Sequence, residues 1–443
     1  MIEPESRLLG YSRGLLAFTA ACLPLYAARW SYGPLPTTLL ENLVLATIAL
    51  YLVARWREGR LRPIRTPYDI AIVLLILAGL ISVLVAKDHR AALGLYRAYF
   101  IEPVALFYVA TDLLGRRRDF RILLLGLGIG TSIFAALNIG AFVAAALQHT
   151  IHFGAPPSAI YTSSNSVALF LEPPMAFAVA LVLFSDERRD RRLALVWMLV
   201  LAAGLVLTFS RGGFLALAIF ALLTVVKARP DLRRPLLVIG VVAAAAVLLT
   251  VVVASTTPLM KARFSYAALN YTLQNRSTIY TGTLHMIAAH PILGVGLGGY
   301  VYRLHGFPTN YPNNLYLSFW VELGLLGLVT FLYIFVKLLV SAWRALPVAS
   351  GFERALLWGV FGTVVIWAVH GAFDTPYWKN DMSVELWLVA AIGFATVRAL
   401  HSPQSAHQRP PALTNASRAG GADPQRAREA TGPATLRALT AGG

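Results

Sequence analysis

Charge is what this chain has least of for its length. Of 443 residues only 13% are Asp, Glu, Lys or Arg, against 57% that are hydrophobic. That balance excludes a soluble domain of this size, which has no use for so much apolar surface. Cysteine is nearly absent. Cys22 stands alone in the first apolar run, so no internal disulfide can form. Acidic residues are scarce too, 21 against 38 Lys and Arg, for a net charge of +17. Such an excess raises nucleic acid as a partner. The basic residues, however, sit in short clusters between apolar runs, and this excludes nucleic acid in favour of a membrane.

What is there in quantity is apolar helix. Apolar runs of about twenty residues cross a bilayer as helices. The sequence predicts an all-α polytopic membrane protein of about twelve transmembrane helices, at 14–30, 37–54, 68–86, 91–111, 122–147, 165–184, 193–209, 212–227, 236–256, 315–340, 355–373 and 382–399. The first run reads as a retained span, because Arg7 and Arg13 precede it and no cleavage site follows. The connecting loops alternate in charge. One set carries Arg55, Arg57, Arg60, Arg62 and Arg65; Arg116, Arg117, Arg118 and Arg121; Arg188, Arg189, Arg191 and Arg192; Lys227, Arg229, Arg233 and Arg234; and Lys337, Arg344 and Arg354. The other set is poor in them: residues 149–164 contain no Lys or Arg. Short basic loops stay in the cytoplasm. Both termini are therefore expected in the cytoplasm of a bacterial cytoplasmic (inner) membrane protein. Residues 1–400 form the membrane domain, with one large extracytoplasmic loop at about 257–314. The tail, 401–443, is rich in Ala, Pro, Arg, Gly and Thr, buries no core, and is expected to be disordered.

The outward set carries the candidate chemistry. Arg211 lies in the turn Phe209-Ser210-Arg211-Gly212-Gly213, too short to leave the membrane surface. A cation there is a functional candidate, and its planar fork suits phosphate oxygens. The plainer reading is a snorkelling helix-end arginine. The glycines allow a sharp turn and close approach of a ligand. From Arg276 to His290 the pattern fits an amphipathic helix on the membrane surface, with Tyr280, Thr283, Leu284 and Ile287 on the face that Arg276 shares. Pro291 stops it. Gly294 to Gly299 matches G-x-G-x-x-G, but no strand precedes it, so the dinucleotide reading fails. It reads as a flexible turn that returns Asn310–Asn314 over the site. Asn313 and Asn314 can orient a hydroxyl or phosphate, or simply cap the next helix. Glu322 lies in that helix and needs a partner, for which Arg211 and Arg276 are candidates. Arg97, Glu102 and Glu172 are further charges within spans, and Glu102-Pro103 and Glu172-Pro173-Pro174 are expected to break helices and line cavities. His370, Asp374, Lys379 and Asp381 read as ordinary interfacial residues. No Asp-x-Asp or His-Glu-x-x-His occurs on the outward side, where Asp88 is isolated, so no metal site and no cofactor are expected.

FSRGGFLAL, Arg276 with its helix into HPILGVGLGGY, NNLYLSFWVELGLLGL, NSVALFLEPP and HGAFDTPYWKNDMSVELW together resemble the O-antigen ligase and Wzy-type polymerase superfamily, from about Arg97 to Trp387. The resemblance implies a GT-C-like fold and a metal-independent, inverting glycosyltransferase. Such an enzyme takes a glycan from undecaprenyl diphosphate and passes it to a hydroxyl of a glycan, lipid or protein acceptor. It implies that Arg211 and Arg276 hold the diphosphate; Arg97, Tyr280, Asn313, Asn314 and Asp374 are further substrate-binding candidates in this chain. One departure matters. The family usually has His-Asn where this chain has Asn313-Asn314, and that histidine is the suspected general base. His305, with an ordinary pKa of about 6.5, and Glu322 are the alternatives. A polymerase, a secondary transporter and a non-catalytic export partner are the competing readings.

Overall fold

The computed structural model describes residues 7–33, 35–61, 64–151, 156–227 and 265–401. The described chain is mostly helix, with two short hairpins. The helices are α1 (Arg7–Ala21), α2 (Leu39–Arg57), α3 (Asp69–Val85), α4 (His89–Tyr96), α5 (Glu102–Leu113), α6 (Arg117–Leu147), α7 (Ser164–Phe184), α8 (Arg188–Val206), α9 (Arg211–Lys227), α10 (Tyr266–Ala289), α11 (Leu315–Ala345), α12 (Gly351–His370) and α13 (Asn380–Leu400). Strands β1 (Arg29–Tyr32) and β2 (Leu35–Thr38) form one antiparallel hairpin. Strands β3 (Tyr302–Leu304) and β4 (Phe307–Thr309) form the other.

Among the described residues six helices, α2, α6, α7, α11, α12 and α13, are long and apolar enough to cross a membrane. The expected span 236–256, the start of the expected outward loop at 257–264 and the tail from 402 onward lie outside the described residues.

Two proline sites show how a buried helix tolerates the missing N–H. The expected span 91–111 is built from α4, a single π-helical turn (Arg97–Ile101) and α5. Pro103 cannot donate to the Tyr99 carbonyl four residues back. The Tyr377 hydroxyl donates to it instead, at 2.7 Å. The second expected break, at Glu172-Pro173-Pro174, does not occur: α7 runs through it from Ser164 to Phe184. Pro173 frees the Leu169 carbonyl, and the Trp367 indole N–H fills the vacancy at 3.2 Å. At each site a side chain from elsewhere in the fold supplies the donor, and the backbone has no need to open.

The helices α7 and α12 form the centre and are buried over most of their length. They pack closely because α12 is small where α7 is large. A Cβ at Gly359 would lie 2.4 Å from the Phe177 ring. Likewise Gly126 and Gly130 of α6 lie against the Ala17 and Ala21 carbonyls of α1, each 2.1 Å from where a Cβ would stand. Small residues four apart are the usual means of close helix approach in a membrane.

The loops gather at two ends. At one, Arg13 meets Asp119 at 3.1 Å, Arg117 meets Glu353 and Asp186 at 3.0 Å each, and Arg121 meets Asp190 at 2.9 Å. Arg55 is bound to Asp112 at the same end. These are loops of the basic set. Most of the pairs are partly exposed, worth about 0–1 kcal/mol each, so they align loops rather than hold the core. At the other end Tyr161 bonds Asp381, Arg211 bonds Thr272, Arg276 bonds the Phe373 carbonyl, and Asn380 bonds Glu41. The β1–β2 hairpin, the Ser210 turn, α10 and residues 371–379 therefore share a face.

Candidate functional site

The site is assembled under α10. This helix begins ten residues before Arg276, where the sequence pattern would start it, and ends at Ala289 ahead of Pro291. Its covered stripe is Ile279, Thr283 and Ile287, with Tyr280 half-buried. Leu284 was expected on that stripe but is 48% exposed. It lies at the stripe's edge, and Ile279 takes the inward position instead. Ile287 packs with Tyr300 and Val321. The Thr283 hydroxyl meets that of Tyr300 at 3.0 Å. The apolar part of the stripe thus docks α10 on α11, leaving the polar part near Arg276 free to face the site.

Arg211 opens α9. Ser210 caps it: its Oγ accepts the Gly213 N–H at 3.3 Å. The first N–H groups of any helix have no partner within it and favour an anion. The Arg211 guanidinium donates to Thr272 Oγ1 at 2.8 Å. Thr272 and Arg276 are one turn apart on one face of α10, so the two arginines adjoin and repel one another. Arg276 donates to the Phe373 carbonyl and lies 5.8 Å from the Phe373 ring centroid. Neither arginine forms an ion pair among the described residues. The two cations stand together at this helix N-terminus with no carboxylate ion-pair partner among the described residues.

The glycines after Arg211 are accounted for by a pair buried beneath them. His370, the last residue of α12, places Nδ1 at 2.8 and 3.0 Å from the two carboxylate oxygens of Glu172 on α7. A Cβ at Gly212 would stand 2.7 Å from Cδ2 and 2.9 Å from Nε2 of His370. A Cβ at Gly213 would stand 2.6 Å from Glu172 Oε1. The turn is bare because the chain's own ionisable pair occupies the space. From the sequence Glu172 stood out only as a charge within a span at an expected helix break, and His370 as an ordinary interfacial residue. The signal was present in two parts: a glutamate in a wholly apolar helix, which needs a partner, and a Gly-Gly step beside an arginine, which needs a close neighbour.

The remaining candidates divide. Tyr280 joins the arginine site, its hydroxyl 3.0 Å from the Asn313 carbonyl and 2.9 Å from that of Ala372. Burial raises its pKa, opposed by Arg276 and Asn314, so it stays a donor. Asn314 caps α11, its Oδ1 accepting from Tyr316 and Leu317 N–H at 3.0 Å each, and its amide donates to Ala372 at 3.0 Å. Asn314→Ala removes both and is expected to cost about 1 kcal/mol, read as a lower unfolding midpoint in detergent. Asn313 adopts φ 52°, a left-handed conformation that asparagine tolerates. Asp374 donates its N–H to the His370 carbonyl at 3.0 Å, beside the buried pair. Lys379 lies 4.6 Å above the Tyr161 ring, and burial lowers its pKa against Asp381 and Asp374.

Three candidates stand apart from the arginines. His305 is exposed at the β3–β4 turn, 3.2 Å from Asn275 Oδ1. Glu322 does not pair with Arg211 or Arg276. Its Oε2 accepts the Gly298 N–H at 3.0 Å. Arg97 pairs with Glu41 at 2.6 Å and Glu102 at 3.1 Å, and lines a separate cavity of about 800 Å3 with Arg29, Arg90, Asp88, Glu41 and Asn380. The sequence pattern pointed to Arg97 alone of these.

The glycine-rich segment is held rather than loose. It docks where α11 is broken at Gly324, whose φ is 72° and ψ −172°. Leu325 N–H donates to the Ile292 carbonyl at 3.0 Å, and Val295 N–H to that of Val321 at 2.7 Å. The break exposes backbone groups of α11 and the segment satisfies them.

Comparison with known proteins bears on this geometry. Residues 193–332 match the family model of O-antigen ligase. This is the superfamily that the motifs resemble. The O-antigen ligase segment runs from α8 into α11 and holds Arg211, Arg276, Tyr280, His305, Asn313, Asn314 and Glu322. It ends before His370 and Asp374. No curated protein matches the chain.

Proposed function

We propose that the protein is a GT-C-like, inverting glycosyltransferase that moves a glycan from undecaprenyl diphosphate to an acceptor hydroxyl on the outer face of the bacterial cytoplasmic membrane. One observation carries this: Arg211 and Arg276 adjoin at the N-terminus of α9 with no acidic partner among the described residues. A diphosphate there gains two charge-assisted hydrogen-bonding forks and a helix terminus. As the anomeric carbon–oxygen bond breaks, the leaving diphosphate gains charge, and fixed cations stabilise that charge more than the ground state. The arginines supply this charge without a divalent ion, so EDTA is expected to leave the rate unchanged. Tyr280 and Asn314 set the position of residues 371–374 beside the arginines. Both termini lie in the cytoplasm in this reading.

The test is transfer by the purified protein, with lipid-linked glycan extracted from the source cells, candidate acceptors and EDTA, followed by mass spectrometry. A single glycan joined to an anchor identifies a ligase. Lengthened lipid-linked glycan identifies a polymerase. No product from folded protein with any acceptor overturns the reading.

A further inference from the structure

The transfer needs a proton acceptor, and the asparagine at 313 cannot be one. Its side-chain amide has no basic nitrogen. His305 and Glu322 are held elsewhere, by Asn275 and Gly298. His305 is exposed and reaches Asn275, the residue before Arg276, whereas the buried pair is tied to both arginines. Gly212, which covers His370 Nε2, follows Arg211 directly. The Phe373 carbonyl, which binds Arg276, belongs to the turn whose N–H groups at Phe373 and Asp374 bond the His370 carbonyl at 2.9 and 3.0 Å.

The pair is also oriented for the task. Glu172 takes the Nδ1 side of the ring. With the proton on Nδ1, Nε2 keeps its lone pair, and Nε2 has no hydrogen-bond partner among the described residues. Gly212 is where a side chain would seal that nitrogen off. A Cβ there would collide with that edge of the ring, so only glycine lets the turn that carries Arg211 lie directly against it. Such a pair, 0% and 1% exposed, is costly to bury and adds little stability over apolar residues of the same size. An intramembrane pair of this kind is a functional feature by default.

Resting on the transferase reading above, we infer that His370 Nε2 accepts the proton of the acceptor hydroxyl, and that Glu172 is its positioning residue. The hydroxyl oxygen bonds the anomeric carbon. The bond from that carbon to the diphosphate oxygen breaks, and its electron pair leaves with the diphosphate, held by Arg211 and Arg276. The proton passes to Nε2, Glu172 balances the imidazolium, and the proton is later lost to water. The charged groups that act on His370 are Glu172, Asp374 and Arg276.

The experiment compares wild type, His370→Gln, Glu172→Gln and the double variant Asn313→His/His370→Gln. The probes are lipid-linked glycan extracted from the source cells and membranes of a strain lacking the gene, which supply the acceptor. His370→Gln is expected to lower kcat roughly 100-fold or more with donor KM near wild type, while the unfolding midpoint falls because Glu172 loses its buried partner. Adding Asn313→His is expected to restore part of the rate. In Glu172→Gln the carboxylate no longer favours the imidazolium, so the acid limb of the pH–rate profile moves to lower pH and the maximum falls. Wild-type kcat in His370→Gln, or an unmoved acid limb in Glu172→Gln, overturns the assignment and leaves the transferase reading standing. If His370→Gln does not fold, the Glu172→Gln profile decides. No transfer by wild type overturns both.

Discussion

Replacing Arg211 by alanine is expected to remove glycan transfer and leave membrane insertion intact. Its guanidinium makes one hydrogen bond to another side chain among the described residues, to Thr272, and is partly open. Little packing is lost. What is lost is a fixed cation at the charge that develops on the diphosphate, worth about 100- to 1,000-fold in kcat for a single stabilising donor. Arg211→Lys keeps the charge but not the fork, so its rate should fall between the two. Arg276 is a less clean target, because it also ties down the Phe373 carbonyl. The measurement is the transfer assay on protein shown to be monodisperse in detergent. Full activity of Arg211→Ala would end the assignment of this arginine to the diphosphate.

The second large effect is on stability. Gly324→Ala is expected to destabilise the protein by roughly 2–5 kcal/mol, from a strained backbone together with a steric clash. Gly324 has φ 72°, where a side chain is strained, and its Cβ would lie 2.1 Å from the Ile292 carbonyl. The obstruction is backbone, which cannot rotate aside as a side chain can. The segment from Ile292 to Gly298 would have to leave the break in α11. The loop that ends in Asn313 and Asn314 would then lose its anchor. A sharp fall in the thermal unfolding midpoint is the expected reading. A midpoint equal to wild type would show that the segment is not seated on α11 as described.

Some of this was legible from residues alone. The helix stop at Pro291 is a local rule, since proline lacks the N–H that would continue the ladder. Arg211 and Arg276 stood out because a cation at a membrane surface is costly wherever the chain takes it. The disturbance at Glu102-Pro103 was readable, though it is a π-helical turn (Arg97–Ile101) in a chain that stays helical and not a break. The break expected at Glu172-Pro173-Pro174 was not, because the donor that repairs α7 is Trp367, nearly two hundred residues later in the chain. Leu284 was placed on the wrong side by spacing alone, since spacing names a stripe but not which edge meets a neighbour.

By itself the sequence determined the class of molecule, apolar helices interrupted by one long polar segment, and the residues whose charge must be explained. These follow from composition and from period, which are properties of neighbours along the chain. Only the tertiary structure decided which charges are satisfied by which. It paired Glu172 with His370, left Arg211 and Arg276 together with no carboxylate ion-pair partner among the described residues, and sent Glu322 to Gly298. Partners of this kind come from different helices, and the cost of a buried charge depends on the group across the gap, which no local pattern records.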